Sequence, residues 1–360
     1  MKRLFILLML SSTFVFAQVQ QPKLVVGIVV DQMRFDYLTR YWNDYGDDGF
    51  KRLISEGYNC TNTHFNYIPT YTGPGHASIY TGSTPSTHGI ISNYWYDREL
   101  EEYGYCVSDT DMNTVGADNE SGKMSPAKML TTTLGDELRL FSMNRSKVIS
   151  IGLKDRSAVL PGGHMANFAF WLDSETGDFV SSSYYGPRLP KWAQKFNKKD
   201  LCEAYLSEKW ELLLPSKSYD ESLNDNSAYE EPFAGQKYPK FPHDLPELLK
   251  ENGKGLIKAT PYGNTLTKDM AIAAIEGEGL GEDIHTDLLA VSFSSPDYVG
   301  HQFGTDSKEI QDTYLRLDRD LASFLSYLDD QIGKENVLVF LTADHGAVRT
   351  PSYLKDRKIP

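Results

Sequence analysis

Aspartate and histidine residues in three short stretches provide the side chains best suited to metal chemistry. Asp297 and His301 stand four residues apart, and Asp344 is followed at once by His345. A further aspartate, Asp31, comes directly after an apolar run. Carboxylate oxygens and imidazole nitrogens without a cysteine motif suit zinc or a similar borderline metal. Each of these residues alone is more often a helix cap or a hydrogen-bonded surface side chain, but the set predicts metal binding.

Thr72 is the candidate nucleophile. It precedes a Gly-Pro-Gly turn and a short stretch with helical character. The free N–H groups at a helix N-terminus favour negative charge, and a hydroxyl beside a divalent cation can ionise and attack an electrophile. The alternative interpretation is that Thr72 is an ordinary N-cap.

Four apolar runs in the sequence have the composition of buried strands. They are continuous runs of Val, Ile and Leu, typical of parallel strands covered on both faces. These runs span residues 24–30, 148–153, 288–293 and 337–341. Amphipathic helical patterns at residues 265–275 and 308–332 lie between or beside them. The alternation predicts an α/β fold with a mostly parallel central sheet flanked by helices.

Each apolar run is followed by polar residues. Ligands of open α/β sheets bind outside the carboxyl ends of the strands, so these residues should meet at one edge. In chain order they are Asp31, then Lys154-Asp155-Arg156, then Ser294 through His301, then Asp344-His345. These four segments together carry carboxylate, imidazole and cationic side chains, and they predict a functional site at that edge.

Domain organisation follows from composition along the chain. Residues 1–17 have a basic start, an apolar stretch shorter than the roughly 20 residues of a membrane span, and a cleavage pattern at Ala17. They predict a signal peptide and a periplasmic or secreted protein without a transmembrane anchor. Residues 157–261 are rich in aromatic residues and prolines and predict an inserted cap subdomain. Residues 18–156 and 262–360 would then form the α/β catalytic core.

Overall charge and cysteine content narrow the possible partners. The 360 residues contain 36 Lys and Arg against 49 Asp and Glu, a net charge of −13, which argues against duplex nucleic acid as a partner. An anionic small molecule then requires a local positive site. Three cysteines, Cys60, Cys106 and Cys202, permit one disulfide without identifying it. The oligomeric state is open, and we favour a monomer.

The ordered set of motifs resembles the alkaline phosphatase superfamily. The resemblance extends from about residue 24 to residue 346 and is closest to the type I phosphodiesterase/nucleotide pyrophosphatase-like branch, particularly its phosphate-irrepressible (PafA-like) alkaline phosphatases. The matching residues are Asp31, Thr72 to His76, Asn93, Lys154, Arg156, Asp297, His301, and Asp344 to Gly346.

The resemblance implies a dizinc phosphomonoesterase acting on small phosphate esters through a covalent phosphothreonine at Thr72. One zinc would be held by Thr72 and by three further ligands, Asp31, Asp344 and His345. The second zinc would be held by Asp297 and His301. The non-bridging phosphate oxygens would contact the remaining residues of the set, Asn93, Lys154 and Arg156.

Two alternatives to a phosphomonoesterase stay open. A phosphodiesterase or nucleotide pyrophosphatase of the same superfamily is the first, although two cations at Lys154 and Arg156 favour the more highly charged monoester. The second is a non-catalytic phosphate- or metal-binding protein. The family's second zinc takes a further histidine far downstream, and this sequence has no histidine after His345. We therefore expect the sequence to be part of a longer protein.

Overall fold

The computed structural model describes residues 21–99 and 101–359. The predicted signal peptide, residues 1–17, lies outside the described residues. Nine strands are found in the described part: β1 Leu24–Val30, β2 Tyr94–Asp97, β3 Glu102–Tyr105, β4 Thr114–Val115, β5 Val148–Gly152, β6 Phe168–Leu172, β7 Phe179–Ser182, β8 Asp287–Phe293 and β9 Val337–Thr342.

The same part of the chain contains thirteen α-helices and three 3₁₀ helices. The α-helices are α1 Asp36–Arg40, α2 Phe50–Glu56, α3 Thr72–Thr81, α4 Pro85–His88, α5 Leu134–Phe141, α6 Asp155–Gly162, α7 Lys191–Asn197, α8 Leu201–Leu206, α9 Leu245–Asn252, α10 Tyr262–Glu278, α11 Ser295–Phe303, α12 Lys308–Gln331 and α13 Pro351–Asp356. The 3₁₀ helices are Ser216–Ser218, Lys254–Ala259 and Lys334–Asn336.

Seven of the described strands form one mostly parallel sheet in the order β4-β7-β6-β5-β8-β1-β9. β1 lies between β8 and β9 and is parallel to both, with Val26 opposite Leu289 and Val339. β5 is parallel to β8 and β6, whereas β7 is antiparallel to both β6 and β4. The four strands predicted from apolar runs are thus neighbours, β5-β8-β1-β9, and their carboxyl ends lie side by side.

Helices cover both faces of this sheet. Val26 and Ile28 of β1 belong to the main core together with buried side chains of α10 and α12. On the other face, Val29 packs with Tyr80 of α3 and Ala290 of β8, and α6 contacts β5, β6 and β8. Every residue of β5 and β8 is buried. Double coverage explains the continuous apolar runs of β1, β5 and β8, whereas the edge strand β9 is only partly buried. The mostly parallel sheet between helices confirms the predicted fold class.

The predicted helix at residues 308–332 is α12, the longest helix in the described residues. It begins after Ser307, whose Oγ accepts a hydrogen bond of 3.2 Å from the backbone N–H of Ile310. Its apolar stripe faces the core through Tyr314, Leu317, Leu321, Phe324, Leu325 and Leu328. The second predicted helix, residues 265–275, lies within α10.

Part of the predicted cap, residues 157–261, belongs to the central sheet. The boundary at Ser157 falls inside α6, and β6 and β7 both lie within the segment. Its aromatic character has a simple origin there, because Phe170 and Trp171 are buried core residues of β6. A cap formed by the remainder of the segment stays a prediction.

Two further features bear on the sequence expectations. Cys60, Cys106 and Cys202 are all free thiols, with Cys60 exposed and the other two buried. Among residues 21–99 and 101–359, no helix combines the length and apolarity required to cross a membrane.

Gly27, in the middle of β1, provides a test of how tightly this sheet packs against α3. A methyl group there would come within 2.4 Å of the Phe340 ring and of the Tyr80 hydroxyl. We expect Gly27→Ala to lower the free energy of unfolding by about 1–3 kcal/mol, measured by urea denaturation, because the core cannot accept the extra volume. Gly346→Ala is the control, because an added methyl there meets no atom within 4 Å. This variant should change the free energy of unfolding by less than about 0.5 kcal/mol. Equal losses in the two variants would contradict this account.

Candidate active site

Asp31, Asp344 and His345 converge at the carboxyl ends of β1 and β9. One potential ligand atom from each lies within 4.8 Å of the other two. Nε2 of His345 is 3.3 Å from Asp31 Oδ1 and 3.7 Å from Asp344 Oδ2. Both of these carboxylate oxygens are buried and accept no hydrogen bond from the described residues. Buried acceptors without a donor are costly, and two carboxylates with an imidazole suit a divalent metal, so the three residues fit a metal ion.

Asp297 and His301 lie beside this group. Asp297 is in the first turn of α11, and its Oδ1 is 3.9 Å from Nε2 of His345. His301 follows one turn later, with Nε2 3.3 Å from Asp297 Oδ1 and with 73% of its side chain exposed. Residues four apart share one face of a helix, so α11 directs a carboxylate and an imidazole to the same place. Apart from Thr72, five residues are expected to bind metal, and the structure brings all five together.

The Lys154 ammonium lies between two of the carboxylates. Its Nζ is 2.7 Å from Asp31 Oδ2, also donates to Asp297 Oδ2, and is 3.4 Å from the Thr72 hydroxyl oxygen. Burial lowers the pKa of a lysine, but the Asp31 and Asp297 carboxylates outweigh it and raise the pKa of Lys154. Lys154 is therefore a cation that connects the carboxylate cluster to the Thr72 hydroxyl.

The charges of Asp344 and His345 stabilise one another. Burial opposes ionisation of Asp344, yet His345 and His76 hold the pKa of this carboxyl at about 2. Burial likewise disfavours the imidazolium, but Asp344 and Asp31 raise the pKa of His345 to about 10. Asp344 and His345 follow each other in sequence, and a backbone hydrogen bond of 2.9 Å from the His345 N–H to Asp344 Oδ1 fixes their arrangement.

Thr72 is buried and is the first residue of α3. The interpretation of Thr72 as an N-cap is wrong, because Tyr71 occupies that position and no side chain caps the helix. The Thr72 hydroxyl is consequently not used for capping, and it faces Lys154 at the positive end of the helix dipole. Close packing keeps it there, since a Cβ on Gly75 would come within 2.4 Å of the Asp344 carbonyl oxygen.

Asn93 lies against the start of α3, and Arg156 lies in the first turn of α6, two residues after Lys154. Asn93 Oδ1 accepts a hydrogen bond of 2.7 Å from the backbone N–H of Gly73, which orients its amide toward the start of α3. Arg156 Nη1 donates to the Tyr105 hydroxyl at 3.0 Å, and that hydroxyl donates to Asp155. Arg156 Nε is buried without an acceptor. The guanidinium thus retains donors for a ligand.

Two residues without an assigned role in the sequence analysis support the site. The buried His76 places Nδ1 2.9 Å from the Thr72 carbonyl oxygen and 3.2 Å from Asp344 Oδ2. Gln32 donates from its backbone N–H to Asp344 Oδ1 at 3.1 Å and from Nε2 to Asp297 Oδ1 at 2.7 Å. His76 stands four residues after Thr72 in the same motif, and Gln32 stands directly after Asp31. Their nearness in sequence to predicted site residues could therefore have identified both. Tyr105, which contacts Arg156, lies on the β2–β3 hairpin, and its position in the sequence does not connect it with the site.

The architecture is that of the alkaline phosphatase-like α/β proteins, with the site at the carboxyl ends of the sheet. Residues 25–360 match the family model for type I phosphodiesterase / nucleotide pyrophosphatase, and the chain belongs to this family. It is 51% identical over 343 residues to a Myroides odoratus protein named calcium-transporting ATPase. It is 51% identical over 344 residues to alkaline phosphatase PhoV of Synechococcus elongatus and 50% over 345 residues to alkaline phosphatase PafA of Elizabethkingia meningoseptica.

These alignments cover 95% of this chain and 62–63% of each relative. The chain thus spans less than two thirds of the length of the curated relatives that it matches. The crystal structure of wild-type alkaline phosphatase PafA superposes with a TM-score of 0.92 at 49% identity, over 94% of this chain and 66% of that one.

The cluster of Asp31, Asp344 and His345 predicts that zinc affinity depends on the Asp344 carboxylate. Asp344→Asn removes one negative charge and one ligand oxygen from the group formed with Asp31 and His345, so we expect zinc to bind at least about tenfold more weakly, measured by calorimetry with zinc alone. Asp283→Asn, at an exposed loop aspartate, removes the same charge and should leave zinc affinity unchanged. Equal zinc affinity in the two variants would place the metal elsewhere.

Proposed function

We propose that this chain carries the catalytic unit of an exported alkaline phosphatase, a phosphomonoesterase that depends on two zinc ions and uses Thr72 as its nucleophile. The observation that carries the proposal is the placement of the Thr72 hydroxyl against the Lys154 ammonium within a cluster of three buried aspartates. Relatives at 50–51% identity that are named alkaline phosphatases support the same activity.

The first zinc would be held by Asp31, Asp344 and His345 beside Thr72, and the second by Asp297 and His301. Bound there, the two ions would favour ionisation of the Thr72 hydroxyl and offset charge on the leaving oxygen. The short contacts among these side chains support the assignment. The two ligand sets share one edge of the sheet, as an in-line displacement needs.

The chain's own residues would perform the phosphoryl transfer as follows. The Thr72 hydroxyl gives its proton to solvent and Oγ1 attacks phosphorus, the bond from phosphorus to the ester oxygen breaks, and the leaving oxygen takes a proton from solvent. Lys154, at 3.4 Å from Thr72 Oγ1, stabilises the alkoxide. Water then hydrolyses the phosphothreonine, releasing phosphate and restoring the hydroxyl.

Asn93 and Arg156 would bind the non-bridging oxygens of the transferred group. The Asn93 amide is fixed by Gly73 N–H, and the Arg156 guanidinium by Tyr105. A monoester dianion presents more negative charge to these groups than a diester does. The Arg156 guanidinium, which forms no ion pair with a carboxylate among the described residues, therefore favours monoesters over the diesters and nucleotide pyrophosphates of the alternative function.

The nucleophile is tested by Thr72→Ala against Thr72→Ser. Removal of the hydroxyl should reduce kcat/KM for an aryl phosphate monoester at least about a thousandfold, because no covalent phosphoryl acceptor is left. Thr72→Ser keeps an attacking oxygen and should retain measurable turnover, with acid-stable phosphate on residue 72 after quenching. Comparable activity in wild type and Thr72→Ala would rule out the covalent route.

Substrate class is tested by Arg156→Ala. Loss of a donor to the transferred group should lower kcat/KM for the aryl monoester by about 10²–10³-fold and lower it much less for the matching diester. Arg156→Lys keeps the charge and should recover part of the monoester activity. An equal loss for both esters, or a wild-type preference for the diester, would favour the phosphodiesterase.

A further inference from the structure

A cavity of about 320 Å³ lies directly beside the proposed phosphoryl site. Its volume is at the lower end of the roughly 300–1,000 Å³ range of small-molecule sites. Lys154 and Arg156 of the proposed active site line it, together with Tyr298 and Lys258. Lys258 belongs to the 3₁₀ helix Lys254–Ala259, far in sequence from every site residue considered above.

Three cationic side chains thus face one small cavity. The Tyr298 ring lies close to two of them, with Lys154 Nζ 5.0 Å and Lys258 Nζ 5.9 Å from its centroid. Lys154 is neutralised by Asp31 and Asp297. Arg156 and Lys258 form no ion pair with a carboxylate in the described part of the chain, and the hydrogen bond of the Lys258 ammonium is to the Ser174 hydroxyl.

Three carboxylates also line the cavity, and two of them are engaged by other partners, whereas the exposed Glu175 has a 3.4 Å contact with the Asn119 amide. Asp155 accepts from the Tyr105 hydroxyl and from the Arg156 backbone N–H. Asp173 accepts from the Asn119 amide and from the backbone and hydroxyl of Thr176. Burial lowers the pKa of Lys258, the Asp155 and Asp173 carboxylates oppose this effect, and Lys154 and Arg156 add to it. Cationic groups that face one cavity without a direct ion pair favour an anionic ligand there.

We propose that Lys258 binds a second anionic group, a phosphate or a carboxylate, on the leaving group of the substrate. This inference rests on the proposed function. Arg156 would contact the phosphoryl group that is transferred, and Lys258 would contact the second anion across the Tyr298 ring. The preferred substrates are then phosphate monoesters whose alcohol part carries its own negative charge, rather than esters of neutral alcohols.

The test compares Lys258→Gln with wild type on two isosteric substrates, 4-carboxyphenyl phosphate and 4-carbamoylphenyl phosphate. The two differ in the charge at the far end of the same ring. Lys258→Gln should lower kcat/KM for the carboxylate substrate about tenfold, mainly through KM, as expected for a lost charge-assisted hydrogen bond. For the carboxamide it should change kcat/KM by less than about twofold.

Lys254→Gln is the matched control. Lys254 is on the same 3₁₀ helix but pairs with Asp200 and Glu203, so this variant removes one positive charge outside the cavity. It should affect neither substrate. Equal losses with both substrates in Lys258→Gln, or none with either, would overturn the proposal.

A binding measurement separates this inference from the proposed function. Methylenediphosphonate, which cannot be hydrolysed, should bind wild type about tenfold more tightly than Lys258→Gln by calorimetry, whereas methylphosphonate should bind both equally. If wild type hydrolyses no phosphate ester, the proposed function fails while this comparison still decides the role of Lys258. Lys258 would have no role in binding if wild type and Lys258→Gln bound methylenediphosphonate equally and showed the same ratio of kcat/KM for the carboxylate and carboxamide substrates.

Discussion

Three buried carboxylates within a few ångströms of one another are the constraint on which the rest of the site depends. Asp31 and Asp344 are fully buried and Asp297 nearly so. Burial and mutual repulsion both oppose three negative charges in such a place. Positive charge must therefore be supplied locally, and Lys154 and His345 supply it within the chain. Asp31 Oδ1 and Asp344 Oδ2, which face His345 Nε2 at 3.3 and 3.7 Å but accept no hydrogen bond from the described residues, are the oxygens that fit a metal ion.

The parallel sheet is what makes this concentration of charge possible. β5, β8, β1 and β9 are neighbours, so four strand ends present their following residues along one edge. Because both faces of β5, β8 and β1 are buried, these three strands cannot slide or tilt without loss of apolar contacts. The packed strands hold the carboxylates together despite their repulsion. The N-terminus of α3 places the Thr72 hydroxyl beside Lys154 at the same edge of the sheet.

Charge is distributed unevenly around the proposed reaction centre. On the side of β1 and β9, carboxylates outnumber cations and favour metal ions. On the side of α6 and the 3₁₀ helix Lys254–Ala259, Arg156 and Lys258 lack acidic partners in the described residues and favour anions. Under the proposed function, a phosphate ester bound between these sides would meet metal ions on one side and Arg156 and Lys258 on the other, which would supply the local positive site that a protein with a net charge of −13 needs for an anionic substrate.

The sequence by itself determined the elements and the chemistry of their ends. The four apolar runs correspond to β1, β5, β8 and β9. For β1, β5 and β8 the reason is burial on both faces, which gives a composition that local sequence displays directly, whereas β9 is a partly exposed edge strand. Helices α10 and α12 were likewise evident from their periodicity. The residue types after each strand indicated carboxylate, imidazole and cationic chemistry, because position at a strand end is a local property.

Only the tertiary structure decided which side chains meet. Lys154 contacts Asp31 and Asp297 across 123 and 143 residues of sequence, and strand order in a sheet is not encoded in any local pattern. The same holds for the contact between Tyr105 and Arg156 and for the position of Lys258 beside Tyr298. It holds also for β6 and β7, whose aromatic residues resembled a separate cap although they extend the sheet. Long-range packing selects these partners, and hydrogen bonding and charge then fix their geometry.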